Sequence, residues 1–180
     1  MADFYTGMGD EGNTSIGNRK VRKSDSLISA IGEIDELNSV VGLAAANITD
    51  GHVLDILKGI QNELFIVGAE LSSSYNGTFS PKRKIGEETI KDMENVIEEY
   101  GKKIGKLKSF VLPGGTIGAA YLHNARTVAR RAERSLVGAE PESKIDKHLI
   151  KYMNRISSLL FVLALYINKS EGYEEINPEY

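Results

Sequence analysis

Apolar residues return every three to four positions along four long stretches of this chain, a spacing that admits amphipathic helices and little else. Leu149, Tyr152, Met153, Ile156, Leu159, Leu160, Leu163 and Ile167 form the cleanest of these stripes. Leu27, Ile31, Ile34, Leu37, Val41, Ala44 and Ile48 form another, which Ser24 or Asp25 can cap and which stops near Asn47 to Gly51. Val53, Ile56, Leu57, Ile60, Leu64, Val67 and Leu71 follow, opened by Thr49 or Asp50 and closed by the polar stretch Ser72 to Ser80 with Pro81 behind it. A fourth helix is predicted from near Thr116 to about Val137, where Gly138 and Pro141 interrupt it. The shorter, charged segment Glu87 to Tyr100 carries Ile90, Met93, Val96 and Ile97 and is expected on the outside. Ser143 with Asp146 resembles a capping arrangement for the last helix. The fold class that follows is all-α, a bundle of five helices.

A chain of 180 residues and 19.7 kDa buries about 70% of its unfolded surface, so a single domain over residues 1–180 is expected. Within it, residues 1–23 read as a loop, because Gly7, Gly9, Gly12 and Gly17 crowd a segment without strand alternation. Residues 24–169 make the helical bundle, and the acidic tail 170–180 is expected to be mobile. The apolar run Leu159 to Ile167 falls short of the ~18 to 20 residues that span a membrane. The first residues carry neither a basic region nor an apolar stretch, so a cytoplasmic protein without membrane contact is the expectation. There is no Cys, which excludes disulfides, thiol nucleophiles and thiolate metal sites. With 22 Lys+Arg against 25 Asp+Glu and a net charge of -3, no global positive field exists to hold nucleic acid. Any anion site must be local.

Two places could supply one. On the fourth helix Tyr121, Leu122, Ala125, Val128, Ala129, Ala132 and Leu136 form the core stripe, while His123, Arg126, Arg130, Glu133 and Arg134 gather on a neighbouring face and Arg131 points elsewhere. Three arginines at i, i+4 and i+8 repel one another, so a carboxylate or polyphosphate should sit opposite them unless the face is simply solvated. The second place is Thr6-Gly-Met-Gly-Asp-Glu-Gly-Asn-Thr-Ser15, where backbone amides free of Cβ obstruction alternate with hydroxyls and Arg19 to Lys23 follow. It is not a P-loop, since no strand precedes it and no Gly-Lys-Ser/Thr occurs. On the first helix Ile31, Asp35, Asn38, Gly42 and Ala45 share a strip whose small residues point to close approach of another helix. Asn154 stands on an apolar helix, where an amide requires a hydrogen bond. The Glu-x-x-His pairs of di-iron bundles, His-Glu-x-x-His and Gly-x-Ser-x-Gly are absent, and His148 reads as a surface residue.

Taken together, Thr6-Gly-Met-Gly-Asp-Glu-Gly-Asn-Thr14, Lys23, Gly32-Glu-Ile-Asp-Glu-Leu-Asn38, Phe110-Val-Leu-Pro-Gly-Gly115, Ala125-Arg-Thr-Val-Ala-Arg-Arg-Ala-Glu-Arg134 and Tyr152-Met-Asn-Arg-Ile-Ser-Ser-Leu-Leu-Phe161 resemble the PduO-type ATP:cob(I)alamin adenosyltransferases, also called corrinoid adenosyltransferases. The likeness runs in order over roughly residues 4 to 168. It implies a five-helix bundle with a ferritin-like up-and-down core, assembled as a homotrimer that binds ATP at subunit boundaries. The implied reaction moves the 5′-deoxyadenosyl group of ATP to the cobalt of reduced cobalamin and releases triphosphate.

By the same resemblance Thr6, Gly7, Gly9, Asp10, Gly12, Thr14 and Lys23 would wrap the triphosphate, and Arg130 and Arg134 would meet its oxygens. Glu133 and Asn154 would complete the nucleotide site. Mg²⁺ would be held mainly by the phosphates, with no protein side chain assigned to it. Asp35 would pair with Arg126 across the subunit boundary. Phe110 would press on the lower face of the corrin, so Arg130, Phe110 and Asn154 are the implied catalytic set. A cobalamin reductase or an adenosylcobalamin-dependent enzyme would be the natural partner. The chain departs from the family between Thr14 and Lys23, where it is about one residue shorter, so Arg19, Lys20 and Arg22 receive no role. Two other readings stand beside this one: a non-catalytic nucleotide- or cobalamin-binding module, and a helical scaffold whose arginines serve subunit contacts.

Overall fold

Short polar side chains start the helices close to where the sequence places them. The computed structural model describes residues 5–76, 81–107, 109–139 and 145–179. The elements are β1 (Asn13–Ile16), β2 (Arg19–Arg22), α1 (Ser26–Ala45), α2 (Gly51–Asn76), α3 (Glu87–Ile104), α4 (Ile117–Ala139) and α5 (Lys147–Ser170). Asp25 caps α1 by accepting from the Leu27 amide at 3.0 Å. Asp50 accepts from Val53 N at 3.0 Å and from the Tyr166 hydroxyl at 3.1 Å, which ties the start of α2 to α5. Asp146 is itself the N-cap of α5, accepting from His148 N at 2.9 Å. The expected Ser143 cap falls outside the described residues.

Three helix ends differ from expectation. α2 continues to Asn76, and within its last turns the hydroxyls of Ser72, Ser73 and Ser74 bond back to the carbonyls of Gly68, Glu70 and Leu71 at 2.7 to 2.8 Å, so the serines are accommodated in the helix. α3 passes Tyr100 and stops at Gly105, whose φ of +86° glycine adopts without strain and which takes the chain out of the helix. α4 runs through Gly138 to Ala139, so one glycine does not break a helix whose Leu136 and Ala139 are buried.

The helices pack in the order α2, α1, α4, α5, α3, with α1 between α2 and α4, and α5 between α4 and α3. Asn38 and Gln61 exchange side-chain-to-carbonyl hydrogen bonds of 3.2 Å, and a Cβ on Gly42 would lie 2.9 Å from the Gln61 amide nitrogen. The small-residue strip on α1 therefore receives α2, while Asp35 on its margin is exposed. α3 flanks the bundle, burying Ile90, Met93 and Tyr100, with the Tyr100 ring edge-on to Tyr166 at 4.7 Å. α5 is the one described helix long and apolar enough to cross a membrane. Its Ile156, Leu160, Leu163 and Ala164 are fully buried within the bundle, as a core helix requires. Tyr152, also buried, reaches across to donate to Glu63 on α2 at 2.7 Å.

The segment 1–23 is not all loop. Asn13 to Ile16 and Arg19 to Arg22 form an antiparallel ribbon, with Thr14 opposite Val21 and Ile16 opposite Arg19. Gly17 has a φ of +54° and opens the two-residue turn, the conformation a tight hairpin needs. Both strands are largely solvated, so no apolar alternation marks them, and β1 rests on α2. The Gly17-Asn18 pair was the legible signal.

Candidate active site

The glycine-rich loop is shaped by its own backbone. Gly7 and Gly12 have φ of +67° and +75°, and the turns close through Asp10 N to Gly7 O at 3.2 Å and Gly12 N to Gly9 O at 3.1 Å. Thr6 Oγ1 accepts from the Met8 amide at 3.4 Å. Lys23 donates its amide to Gly12 O at 3.0 Å, and a Cβ on Gly9 would stand 2.9 Å from Lys23 Nζ. The ammonium thus lies over the bare face of Gly9. Thr14 follows as the second residue of β1. Such a loop offers an anion a positive charge beside glycines that leave its approach unobstructed.

The arginine row borders two adjoining cavities. The first, of about 680 Å³, is walled by Leu107, Phe110, Val111, Pro113 and Phe161, with His123, Arg126, Arg130, Ser157 and Ser158 as its polar lining. The second, of about 260 Å³, is bounded by Arg130, Glu133, Arg134, Val137 and Asn154. Arg130 belongs to both. Asn154 donates to Glu133 Oε1 at 2.9 Å and accepts from Arg155 Nη1 at 2.9 Å, so its amide bridges α4 to an arginine that also pairs with Glu94 at 2.6 Å. The structural hydrogen bond expected of Asn154 and its place beside Glu133 are one arrangement.

Two of the acids on α1, Glu33 and Glu36, do not serve the row: both pair with Arg131. Arg126 is half-buried, its guanidinium 6.0 Å from the centre of the Phe161 ring, and its buried Nε has no hydrogen-bond partner among the described residues. Burial lowers its basicity, with the Arg130 charge acting in the same direction.

His123 is not on an exposed charged face; it is only 3% exposed and lies 6.0 Å from Phe161, centre to centre. Burial, assisted by the Arg126 cation, lowers its pKa from 6.5 to about 4. A histidine held neutral in the folded state contributes stability that is complete above pH 6.5 and is lost as pH falls toward 4. The loss should be of order 2 to 3 kcal/mol. Thermal denaturation from pH 7 to 4 checks this, and His123→Leu should remove that part of the pH dependence.

Phe110 is 77% exposed at the cavity mouth. The loop that presents it is held from α5. Asn168, fully buried, accepts from Thr116 N at 2.9 Å and donates to Gly114 O at 3.1 Å and to Glu175 at 2.9 Å. The tail, expected to be mobile, is docked on the same loop: Leu112 N donates to Ile176 O at 2.8 Å and Ser109 Oγ to Asn177 at 2.8 Å. Asn168 and the tail were missed because nothing in their spacing shows what folds back onto what. Among the described residues no group of three or more carboxylates or imidazoles could hold a metal ion.

The chain as a whole has counterparts in sequence and fold. The family model for cobalamin adenosyltransferase matches residues 4–167. This chain belongs to the cobalamin adenosyltransferase family. A corrinoid adenosyltransferase from Citrobacter freundii is 37% identical over 91% of this chain and 94% of its own length. One from Mycobacterium tuberculosis is 41% identical over 93% and 90%. Among solved structures, a phenylalanine-to-alanine variant of the PduO-type ATP:corrinoid adenosyltransferase from Lactobacillus reuteri, complexed with cobalamin and ATP, superposes with a TM-score of 0.93 at 34% identity, covering 99% of this chain and 100% of that one. An arginine-to-lysine variant of the same enzyme, complexed with ATP, gives a TM-score of 0.90 at 34% identity, over 98% and 100% of the two chains.

Proposed function

We infer that this chain transfers the 5′-deoxyadenosyl group of ATP to the cobalt of cob(I)alamin, forming adenosylcobalamin and releasing triphosphate. The observation that carries the reading is the junction at Arg130 of a large apolar, aromatic cavity with a small polar one. The first suits a corrin macrocycle and the second a nucleotide. Cobalt attacks the ribose 5′-carbon, the cobalt–carbon bond forms as the carbon–oxygen bond breaks, and both electrons of that bond leave with the triphosphate. Nothing needs deprotonation, so catalysis consists of alignment and charge stabilisation. Arg130 and Arg134 meet phosphate oxygens, and Glu133 with Asn154 orients the nucleotide. Mg²⁺ arrives on the phosphates. Phe110 covers the lower face of the corrin, which disfavours the axial base and makes reduction to cob(I) easier.

The remaining phosphate contacts come from Thr6, Gly7, Gly9, Asp10, Gly12, Thr14 and Lys23. Their hairpin rests on α2, whereas the arginine row belongs to α4, with α1 between the two helices. That separation supports a site completed between copies of the chain, in a cytoplasmic homotrimer. The unpartnered Nε of Arg126 and the exposed Asp35 suit an ion pair across the same boundary. Asp35→Ala and Arg126→Ala should each weaken assembly by ~3 to 5 kcal/mol, since each strands a buried charge. Sedimentation velocity measures this, and trimers of undiminished stability in both variants rule the pairing out.

The activity is tested by mixing the protein with MgATP and chemically reduced cobalamin. Adenosylcobalamin and triphosphate in equal amounts are the expected products. Tight binding of ATP and cobalamin without alkyl transfer would instead identify a binding or delivery module.

A further inference from the structure

His123 is a buried polar group that the reaction just described leaves without work. His123 is 3% exposed, and neither Nδ1 nor Nε2 has a hydrogen-bond partner among the described residues. Buried donors and acceptors are almost always satisfied, so an imidazole with both nitrogens idle marks a place where something else belongs. The ring lines the large cavity beside Phe161 and Arg126, a cavity that Phe110 and Pro113 also wall. It takes no part in the small polar cavity of Glu133, Arg134 and Asn154.

The charge state narrows what the missing partner can be. Burial and the neighbouring Arg126 keep the ring neutral, so one nitrogen donates and the other accepts. An anion would make no use of the accepting nitrogen, and the cavity already has Arg126 and Arg130 for anions. The complementary group is neutral and carries a donor and an acceptor of its own. A primary carboxamide has this character, and the rim of the cobalamin macrocycle bears several on short acetamide and propionamide arms.

We propose that His123 hydrogen-bonds a peripheral carboxamide of the corrinoid and so sets both its orientation in the large cavity and the preference for amidated corrinoids. The proposal rests on the adenosyltransferase reading, which supplies the corrinoid. It explains why a polar ring occupies a position where a leucine of similar size would pack without cost. Satisfaction of the ring is deferred until the ligand arrives.

The test uses the assembled protein with His123→Leu, which removes both polar atoms at similar volume, and His123→Gln, which keeps a donor and an acceptor. His123→Leu should raise the dissociation constant for cob(II)alamin about 10-fold, leave that for MgATP unchanged, and raise the denaturation midpoint of the ligand-free protein. His123→Gln should retain cobalamin affinity within about 3-fold. A corrinoid whose carboxamides are replaced by methyl esters should bind the unaltered protein and His123→Leu equally. Equal weakening of cobalamin and ester, or undiminished cobalamin affinity in His123→Leu, overturns the proposal and leaves His123 a space-filling residue. Failure of the unaltered protein to bind cobalamin at all overturns the adenosyltransferase reading, and this proposal with it.

Discussion

Arg130→Ala is expected to slow adenosyl transfer about 10²- to 10³-fold while the protein stays folded and assembled, the usual loss when one preorganised charge-stabilising donor is removed. The separation of effects follows from its surroundings. Arg130 is exposed, and the hydrogen bond at its position is made by its backbone carbonyl, which accepts from Arg134 Nη1 at 3.1 Å and survives the substitution. Exposed substitutions of this kind change stability by no more than about 0.5 kcal/mol. Yet its guanidinium lines both cavities, where the attacking cobalt and the departing triphosphate must be brought into line. Steady-state formation of adenosylcobalamin, with thermal denaturation and sedimentation as controls, measures the effect. A variant that turns over normally but dissociates would make the row a structural contact instead.

Gly115→Ala should cost the fold about 3 to 5 kcal/mol, combining backbone strain with the loss of a buried hydrogen bond. Gly115 has a φ of +102°, and a Cβ there would lie 2.5 Å from Cγ of Asn168, which is fully buried. The amide cannot retreat without releasing the Thr116 N–H, the Gly114 carbonyl or Glu175. A loss of that size is a large part of the ~5 to 15 kcal/mol that typically holds a domain together. Because the same amide anchors the loop carrying Phe110, corrinoid affinity should fall in the variant while ATP affinity persists. Denaturant midpoints and separate binding titrations check both parts; a midpoint equal to that of the unaltered chain would mean that Asn168 does not hold the loop.

The helical parts were legible because helix formation is local. Asp25 and Asp50 stand at their caps, and the stripes through Leu37, Leu64, Leu122 and Leu160 are the buried faces. Errors arose where a side chain answered a distant group. The tail, expected to be mobile, binds back onto the loop after Ser109, and Asn168 answers the Thr116 amide and the Gly114 carbonyl from the far end of α5. The short ribbon at Asn13 to Arg22 escaped notice because two solvated strands need no apolar alternation.

Periodicity, caps and glycine placement are properties of neighbouring residues, so the sequence by itself determined five helices, the glycine-rich loop and an arginine row on α4. Which groups share a cavity is a property of packing between segments far apart in the chain. Only the tertiary structure joined Phe110 to Phe161 across the large cavity, made Arg130 common to both cavities, clamped the Phe110 loop through Asn168, and buried His123 without a partner. Each depends on helix spacing and on burial, which converts an ordinary polar side chain into one that must find a partner.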